Sequence, residues 1–517
     1  MKRALPLGLA VGLVGCAAYL ERNHEGPLVP TLERYSEAPA PAAPAAAGGE
    51  GGATEGEPEV AGGRGGEAEP ENTPPESYTE TMAVSPLTWG TALGDPSLDP
   101  VLTEVLAGNL DVRTAVLRVR QSEAIAAQVR AARLPQVSFQ TDGSYSSSVS
   151  PPFGRRNRTW RVTFSLPVSY EVDLFGRYAL ESRAARIDAQ AAERDAEAAG
   201  ISVAAQAAET WFDLVEVHAR AKLLEAQLET NQTYLELVTL RFERGLTSSL
   251  DVHQQEQLVA GTEAQLALIG GEEALLQNQL AVLLGAAPNR TFAVSKDELP
   301  TLPPAPPAGL PADLLERRPD IEAAYLRMRA ADMRVATAIR AQLPSITLNV
   351  TPSYLIARSR FEQTPSSDMG GTGGLLNQGT IHGWGVTVGG TLIAPIFDGL
   401  RSPAVARQRR AETEEALANY QQAYLVALAE VENAIALERQ QRLSIEFLER
   451  QLGFARATLE AAEERYRAGL SDYLPVLSAL GTTQQIELSV LAARRQLISS
   501  RLQLYRALGA AWAPVEP

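Results

Sequence analysis

Two kinds of apolar patterning occur along the chain, and each occurs in both of its halves. In long segments rich in Ala, Leu, Glu, Gln and Arg, apolar residues recur at helical spacing, which predicts helices. In shorter segments apolar and polar residues alternate, which predicts strands. The predicted helices cover about 177–243, 250–284, 404–466 and 476–508, and the predicted strands cover about 136–148, 158–172, 344–356 and 384–397.

The two halves are copies of one unit. Trp160 and Trp384 lie 224 residues apart within similar strands, whereas Pro135 and Pro344, upstream of the strands, lie 209 residues apart. The second copy therefore contains about 15 additional residues. We place them in a Gly-rich loop between its strands, at roughly 357–383.

A tight turn joins the two long helices of each copy. The turns are expected at about 243–250 and 467–474, where Gly245 and Gly469 again lie 224 residues apart. Each glycine stands where the end of a helix requires a positive φ. The sequence therefore predicts a duplicated helical hairpin.

The first 35 residues have the pattern of an exported protein. Residues 1–15 begin with two basic residues and continue as a short apolar run, which predicts a signal peptide. The run ends in Leu-Val-Gly before Cys16, and this segment resembles the lipobox of bacterial lipoproteins. The resemblance implies that Cys16 carries a covalent lipid at the mature N-terminus, and that residues 16–35 are a lipidated segment at the outer-membrane lipid.

Three further divisions follow from composition. Residues 36–85 are rich in Ala, Pro, Gly and Glu, which predicts a disordered tether because little apolar surface is available for burial. Residues 299–312 form a Pro-rich connector. It separates a first repeat at 86–298 from a second repeat at 313–513.

Charge and residue usage exclude several functions. The formal net charge of −16 gives no basic surface for nucleic acid. Cys16 is the only cysteine, so an internal disulfide and a cysteine metal site are excluded. The histidines lack metal-ligand spacing, and the helical carboxylates alternate with arginine as on a solvated surface. The histidines are His24, His218, His253 and His382. We predict no metal, no cofactor besides the lipid, and no enzymatic activity.

The four strands pose a problem of closure. They have the length and alternation of membrane-spanning strands, but four strands cannot close a barrel, and an open sheet edge in lipid leaves backbone groups without hydrogen bonds. Two solutions remain at this point. Either the strands form a small sheet in water, or several chains pool their strands into one barrel.

The ordered region, about 86–513, resembles the TolC/OprM family of outer-membrane efflux channels, in its lipoprotein (NodT-like) branch. The residues that carry the resemblance are Trp89, Gly94-Asp95-Pro96, Glu316-Arg317-Arg318-Pro319-Asp320-Ile321, Ala394-Pro395-Ile396-Phe397-Asp398-Gly399 and the two Gly-Leu turns. The resemblance implies a mostly α protein with a membrane β-barrel part. Duplicated helical hairpins would form a periplasmic tunnel, and four strands per chain would be pooled into a 12-stranded barrel in a homotrimer.

The resemblance also implies partners and sites. The protein would be the passive exit duct of a tripartite system with a periplasmic adaptor (a membrane fusion protein) and an inner-membrane pump of the RND type. The adaptor would contact the two turns, and the tunnel would be gated just beyond the second one. The implied adaptor contacts are Gly245, Leu246, Thr247, Gly469, Leu470 and Ser471, and the implied gate residues are Leu474, Asp472, Ser478 and Asp251.

The gate departs from the family pattern in one respect. Leu474 matches the hydrophobic position, but Pro475 and Ser478 occupy positions where the family often has aspartates. An anionic ring is therefore not expected from those positions. Asp472 lies nearby, and Asp251 keeps the family pattern in the first turn.

Two other functions are compatible with parts of the sequence. A lipid-anchored periplasmic adaptor or structural helical-hairpin protein would explain the lipobox and the duplicated hairpins, but not two strand pairs with interface-type tryptophans. A solute-binding lipoprotein would require an α/β pattern that the sequence lacks.

Overall fold

The computed structural model describes residues 89–150, 155–288, 290–292, 298–304, 318–363 and 378–509. The predicted signal peptide, Cys16, the predicted tether and most of the Pro-rich connector lie outside the described residues. The described elements are α1 (Trp89–Ala92), α2 (Leu98–Gly108), α3 (Leu110–Ala131), β1 (Gln136–Val137), β2 (Gln140–Ser150), β3 (Arg155–Ser165), β4 (Val168–Val172), α4 (Arg177–Glu243), α5 (Ser249–Leu283), α6 (Pro319–Arg340), β5 (Ser345–Gln363), β6 (Gln378–Ile393), α7 (Arg401–Arg467) and α8 (Leu474–Ala507).

The four long helices agree with the sequence pattern to within a few residues. Helices α4 and α7 are each 67 residues long. Pro403 of α7 and Pro475 of α8 lie in the first turn of their helices, where a backbone N–H has no partner within the helix. No helix among the described residues has an apolar stretch long enough to cross a bilayer.

The six strand segments form one antiparallel sheet that amounts to four strands. Val137 pairs with Val168, and Gln140 pairs with Ser165, so β1–β2 and β3–β4 keep one register across their interruptions. Pro167 lies in the second interruption and has no N–H to donate. β5 pairs with both β3 and β4 on one side and with β6 on the other. The order of the four strands is therefore β1–β2, β3–β4, β5, β6.

The predicted loop between the second pair of strands is too long. β5 continues to Gln363 and β6 begins at Gln378, so positions 357–363 and 378–383 are strand. The sequence of this part of β5 does not predict a strand, because Arg358 and Arg360 occupy positions where the alternation of apolar and polar residues requires apolar ones. Their strand conformation follows from pairing with Trp160 and Arg158 of β3. About five of the 15 additional residues of the second copy are thus strand, and the others fall at positions 364–377, outside the described residues.

The described residues form two compact units. The first contains residues 115–196 and 319–424, and it includes the sheet. Its helical core joins α4 to α6 through Ala184, Ile187, Ala191, Leu326 and Ala330. Small side chains let the two helices approach closely, and exposed ion pairs such as Arg194–Glu322 flank the contact.

The second unit contains the described residues up to 114, those from 197 to 318 and those from 425 onward. Its largest core cluster includes Trp89, Trp211, Phe212, Leu280 and Tyr505. The Trp211 indole donates to Asp95 Oδ2 over 2.9 Å, which satisfies the polar end of a fully buried ring.

The two predicted copies contain matching contacts. Asn109 Nδ2 donates to the Leu283 carbonyl at the end of α5 over 2.8 Å. In the second copy Arg318 Nη1 donates to the Ala507 carbonyl at the end of α8 over 3.1 Å. The residues correspond by the two separations that relate the copies, 209 for Asn109 and Arg318 and 224 for Leu283 and Ala507.

Candidate channel surfaces and helical tips

The sheet has one apolar face. Its side chains alternate along each strand and are substantially exposed in the single chain, with Trp384 82% exposed and Val388 73%. The face is formed by Trp160, Val162 and Phe164 of β3, Ile346, Leu348, Val350, Tyr354 and Ile356 of β5, and Trp384, Val386, Val388 and Leu392 of β6. An exposed apolar face of this size requires lipid or a partner.

The apolar face has the height of a membrane. From Ile346 to Ile356, β5 rises about 33 Å at ~3.3 Å per residue. At a strand tilt of about 40° this corresponds to roughly 25 Å along the membrane normal, which matches the apolar band of outer-membrane barrels. Trp160, Tyr354 and Trp384 lie towards one end of it, as aromatic residues do at membrane interfaces.

The opposite face is mostly small and polar. It is formed by Ser144, Ser146 and Ser148 of β2, Thr159, Arg161 and Thr163 of β3, Ser353 and Ser359 of β5, and Gly385, Thr387 and Gly389 of β6, with Leu355, Ile381 and Ile393 as large apolar exceptions. One lipid-compatible face and one water-compatible face are what a channel wall requires.

The sheet is open at both edges. Among the described strands, β2 pairs only with β3, and β6 pairs only with β5. Each edge therefore presents a row of backbone donors and acceptors that must be covered or paired.

The predicted turns have nearly the same geometry. Gly245 has φ 72° and Gly469 has φ 71°. Leu246 N–H donates to the Arg241 carbonyl over 2.8 Å, and Leu470 N–H donates to the Arg465 carbonyl over 2.9 Å. These bonds satisfy helix carbonyls that would otherwise lack donors. Leu246 and Leu470 are 64% and 71% exposed, so each turn presents an apolar side chain at its surface.

The two return helices begin differently. In the first copy Ser248 caps α5, and Asp251 completes a capping box; the Asp251 carboxylate also accepts from the Thr247 hydroxyl. The predicted gate residue Asp251 and the predicted contact Thr247 thus share a cap. The second copy starts at Tyr473 without a side-chain cap, and Pro475 lies in the first turn of α8.

The predicted gate residues of the second copy lie at the start of α8 or just before it. Leu474 is its first residue and is 55% exposed. Asp472 and Ser478 are exposed as well, whereas Ser471 is half-buried. Leu474 therefore presents its apolar side chain at the surface of the single chain.

A buried hydrogen bond joins the helices that follow the two turns. Tyr473 is buried beside Tyr466, with ring centroids 5.3 Å apart, and its hydroxyl donates to Gln255 Oε1 over 2.7 Å. Gln255 Nε2 in turn donates to the Asn231 carbonyl over 2.7 Å. Burial is the main reason that the pKa of Tyr473 is raised, so its hydroxyl remains a donor.

The network continues along the helices. Gln484 Nε2 donates to Asn231 Oδ1 over 2.8 Å, and Asn231 Nδ2 donates to Thr262 Oγ1 over 3.0 Å. Sequence reasoning missed these residues, although Gln255 and Thr262 are seven residues apart on one face of α5. Comparison of the copies offers a second signal. At the 224-residue separation Tyr473 corresponds to Ser249 and Gln255 to Ala479, so neither partner of this hydrogen bond is repeated in the other copy.

The described part of the chain contains no group of three or more His, Cys, Asp and Glu side chains placed to hold a metal. His218 pairs with Glu273 and His253 pairs with Glu256. Each of these two histidines thus contacts a glutamate carboxylate at the surface.

Comparison with known proteins identifies the class of protein that has this arrangement. The family model described as "Outer membrane efflux protein" matches residues 101–286 and 310–510, which is most of the chain. The protein belongs to the outer membrane efflux protein family. It is an outer-membrane efflux channel that extends into the periplasm, and the channel class is not enzymatic.

Individual relatives match over most of their length. The pyoverdine export outer membrane protein OpmQ of Pseudomonas putida is 28% identical over 83% of this chain and 89% of its own length. The cation efflux system protein CusC of Escherichia coli is 29% identical, over 82% and 88%. The solved structure of the outer-membrane channel OprN has a TM-score of 0.71 and 28% identity, over 83% of this chain and 93% of that chain.

Proposed function

We propose that the protein is the lipid-anchored, homotrimeric exit duct of a tripartite export system. The observation that carries the proposal is the two-faced sheet with two open edges. Three copies would pool their four strands into a 12-stranded barrel, which removes every edge from the lipid. The lipid on Cys16 would hold each N-terminus at the outer membrane.

An inner-membrane pump, of the RND type, would supply the energy, and a periplasmic adaptor would connect it to the helical turns. The relatives are named for pyoverdine, cation and solvent or toluene export. This range supports a duct that conducts what its pump delivers and leaves the choice of cargo to the pump and adaptor.

Native mass spectrometry of the full-length protein, extracted from membranes in mild detergent, tests the assembly. The expected species has three chains, each with one lipid in place of residues 1–15. Cys16→Ser should remove the lipid mass and leave the trimer, because the strands hold it together. A monomer, or an oligomer that is water-soluble without its lipid, would instead favour the periplasmic adaptor function.

Negative charge at the two turns is expected to abolish adaptor binding. The double variant Leu246→Asp, Leu470→Asp replaces two exposed apolar side chains at the centre of the proposed contact, where desolvating an unpaired carboxylate is strongly unfavourable. Site-specific crosslinking to the adaptor should fall to background. The trimer should persist, because neither residue is buried.

The matched control is Leu246→Met, Leu470→Met, which keeps the apolar surface at nearly the same volume and should preserve the crosslink. If the aspartate variant crosslinks as efficiently as the methionine variant, the turns only cap their helices and the adaptor binds elsewhere.

A further inference from the structure

The two strand hairpins of the sheet repeat each other in register as well as in sequence. Tyr145 pairs with Trp160 in the first copy, and Tyr354 pairs with Trp384 in the second. The two tyrosines lie 209 residues apart and the two tryptophans 224, which are the separations that relate the copies. A residue of one hairpin therefore has a defined structural equivalent in the other.

One strand pairing joins the two copies to each other. The second strand of the first copy, β3–β4, pairs with β5, the first strand of the second copy, and places Thr163 opposite Leu355. The equivalent pairing would join β6, the second strand of the second copy, to β1–β2, the first strand of the first copy. These two strands are the opposite edges of the described sheet. A neighbouring chain can supply this pairing when the barrel closes.

The repeat fixes the register of the missing pairing. The equivalent pairs follow when each β3 position is moved forward by 224 residues and its β5 partner is moved back by 209. Thr387 then lies opposite Ser146, and Val388 lies opposite Tyr145. Thr387 and Ser146 both belong to the polar face, whereas Val388 and Tyr145 both belong to the apolar face. The register therefore keeps lipid-compatible side chains together, which a shift by one residue would not do.

A second contact joins the copies at the helical ends of the strands. Arg340, the last residue of α6, donates from Nη1 to the Phe175 and Gly176 carbonyls over 2.8 and 3.3 Å. Gly176 has a φ of 68°, and a Cβ at this position would lie 2.8 Å from Arg340 Nη1. The lack of a side chain at position 176 thus makes room for the guanidinium group.

The equivalent positions at the two open edges exchange the large and the small side chain. Leu400 is the equivalent of Gly176 and has the same φ of 68°. Ala131 is the equivalent of Arg340. Leucine is strained in this conformation because its Cβ crowds the backbone, and Leu400 is 67% exposed in the single chain. A large side chain at 400 fits a small one at 131, as Gly176 fits Arg340.

We propose that β6 of each protomer pairs with β1–β2 of the next protomer, with Thr387 opposite Ser146, and that Leu400 packs against Ala131 of that neighbouring chain. The partner is a second copy of this chain, and three such contacts close the barrel. Burial of Leu400 in the contact offsets the strain of its backbone. The inference rests on the proposed function, because it assigns the residues that join the protomers of the duct.

Disulfide crosslinking of the full-length protein in membranes tests the register. Cys16 is the only cysteine, and its sulfur is expected to carry the lipid, so the introduced cysteines are the only free thiols. Thr387→Cys, Ser146→Cys should give a disulfide-linked trimer on a non-reducing gel, because directly opposite residues of antiparallel strands lie within disulfide range. Thr387→Cys combined with Ser144→Cys or Ser148→Cys should crosslink at least ~10-fold less, because diagonal neighbours lie beyond that range.

The matched control is the equivalent pair within one chain. Thr163→Cys, Leu355→Cys occupies positions that are directly opposite in the sheet, and it should form a disulfide without linking chains. An intermolecular crosslink that is stronger from Ser144→Cys or Ser148→Cys than from Ser146→Cys overturns the register. The absence of any intermolecular crosslink, while the control disulfide forms, overturns the pairing and means that another segment covers the edges.

A rescue experiment tests the exchange of side chains. Ala131→Arg should raise the dissociation constant of the trimer at least ~10-fold, because the new side chain meets Leu400 of the next chain. Ala131 is exposed in the single chain, so the substitution should not prevent folding. Adding Leu400→Gly should restore the trimer, because the double variant recreates the contact of Gly176 with Arg340. Native mass spectrometry over a range of protein concentrations measures the dissociation.

The outcomes separate this interface from the export function. A double variant that dissociates as readily as Ala131→Arg alone overturns the packing of Leu400 on Ala131. Trimers that conduct in planar bilayers but crosslink in another register overturn the interface and leave the export function standing. Wild-type chains that neither form trimers nor conduct overturn the export function, and the interface with it.

Discussion

Replacing Glu438 with alanine is expected to destabilise the protein by about 3–5 kcal/mol, because it leaves a buried arginine charge without its partner. Arg501 is fully buried, and the side chain of Glu438 is 4% exposed. Two hydrogen bonds join them, from Nη2 to Oε1 over 2.6 Å and from Nε to Oε2 over 2.9 Å. Arg501 also donates to the Pro303 and Pro304 carbonyls over 3.1 and 3.3 Å. The pair thus fixes the start of the Pro-rich connector against α7 and α8.

Denaturant titration of the detergent-solubilised protein measures this effect. The matched control is Glu449→Ala, which breaks the exposed Arg494–Glu449 pair of 2.7 Å and should cost about 0–1 kcal/mol. Equal losses from the two variants would mean that burial does not govern the strength of the Glu438 pair.

The same pair predicts how stability depends on pH. Burial by itself raises the pKa of Glu438, but the hydrogen bonds and charge of Arg501, helped by Arg442, outweigh it and hold this pKa below its ordinary value of 4.5. The resulting stabilisation is fully present above pH 4.5 and is lost as the pH falls through the lowered pKa. Glu438→Ala should therefore flatten the acid limb of the stability profile, as measured by denaturant titration at a series of pH values.

Tyr473→Phe is expected to open the channel in the absence of the adaptor and the pump. The substitution leaves the buried Gln255 Oε1 without its donor, at a cost of about 1–3 kcal/mol to the arrangement that holds the start of α8 to α5. If opening requires α8 to move away from α5, this loss of free energy from the closed arrangement corresponds to a roughly 5- to 150-fold increase in the ratio of open to closed channels. Single-channel recording in planar bilayers measures that ratio.

Tyr466→Phe provides the control in the same cluster. The Tyr466 hydroxyl is buried and has no hydrogen-bond partner among the residues that the structure describes, so its removal should leave gating unchanged. Leu474→Gly tests the predicted constriction and should raise the conductance of each open channel, because it removes the side chain that we propose for the narrowest point. If Tyr473→Phe behaves like Tyr466→Phe, the Tyr473–Gln255 bond does not hold the channel closed. Unchanged conductance in Leu474→Gly would remove Leu474 from the gate.

Local chemistry made the helices and turns predictable. Gly245 and Gly469 mark helix ends because only glycine adopts a positive φ without strain, and both have the expected geometry. The long helices follow from uninterrupted runs of good helix formers. The strand ends of the second copy were less predictable, because Arg358 and Arg360 extend a strand through pairing with β3 rather than through their own apolar pattern.

The sequence by itself determined the duplicated hairpins, the two pairs of strands and the positions of both turns, because each depends on periodicity or backbone conformation within a few residues. Only the tertiary structure decided which polar residues are buried together. Tyr473 meets Gln255 across 218 residues, and Glu438 meets Arg501 across 63. It also placed Arg158 opposite Arg360. The contribution of such pairs depends on burial and strand register, which are set by packing between distant segments.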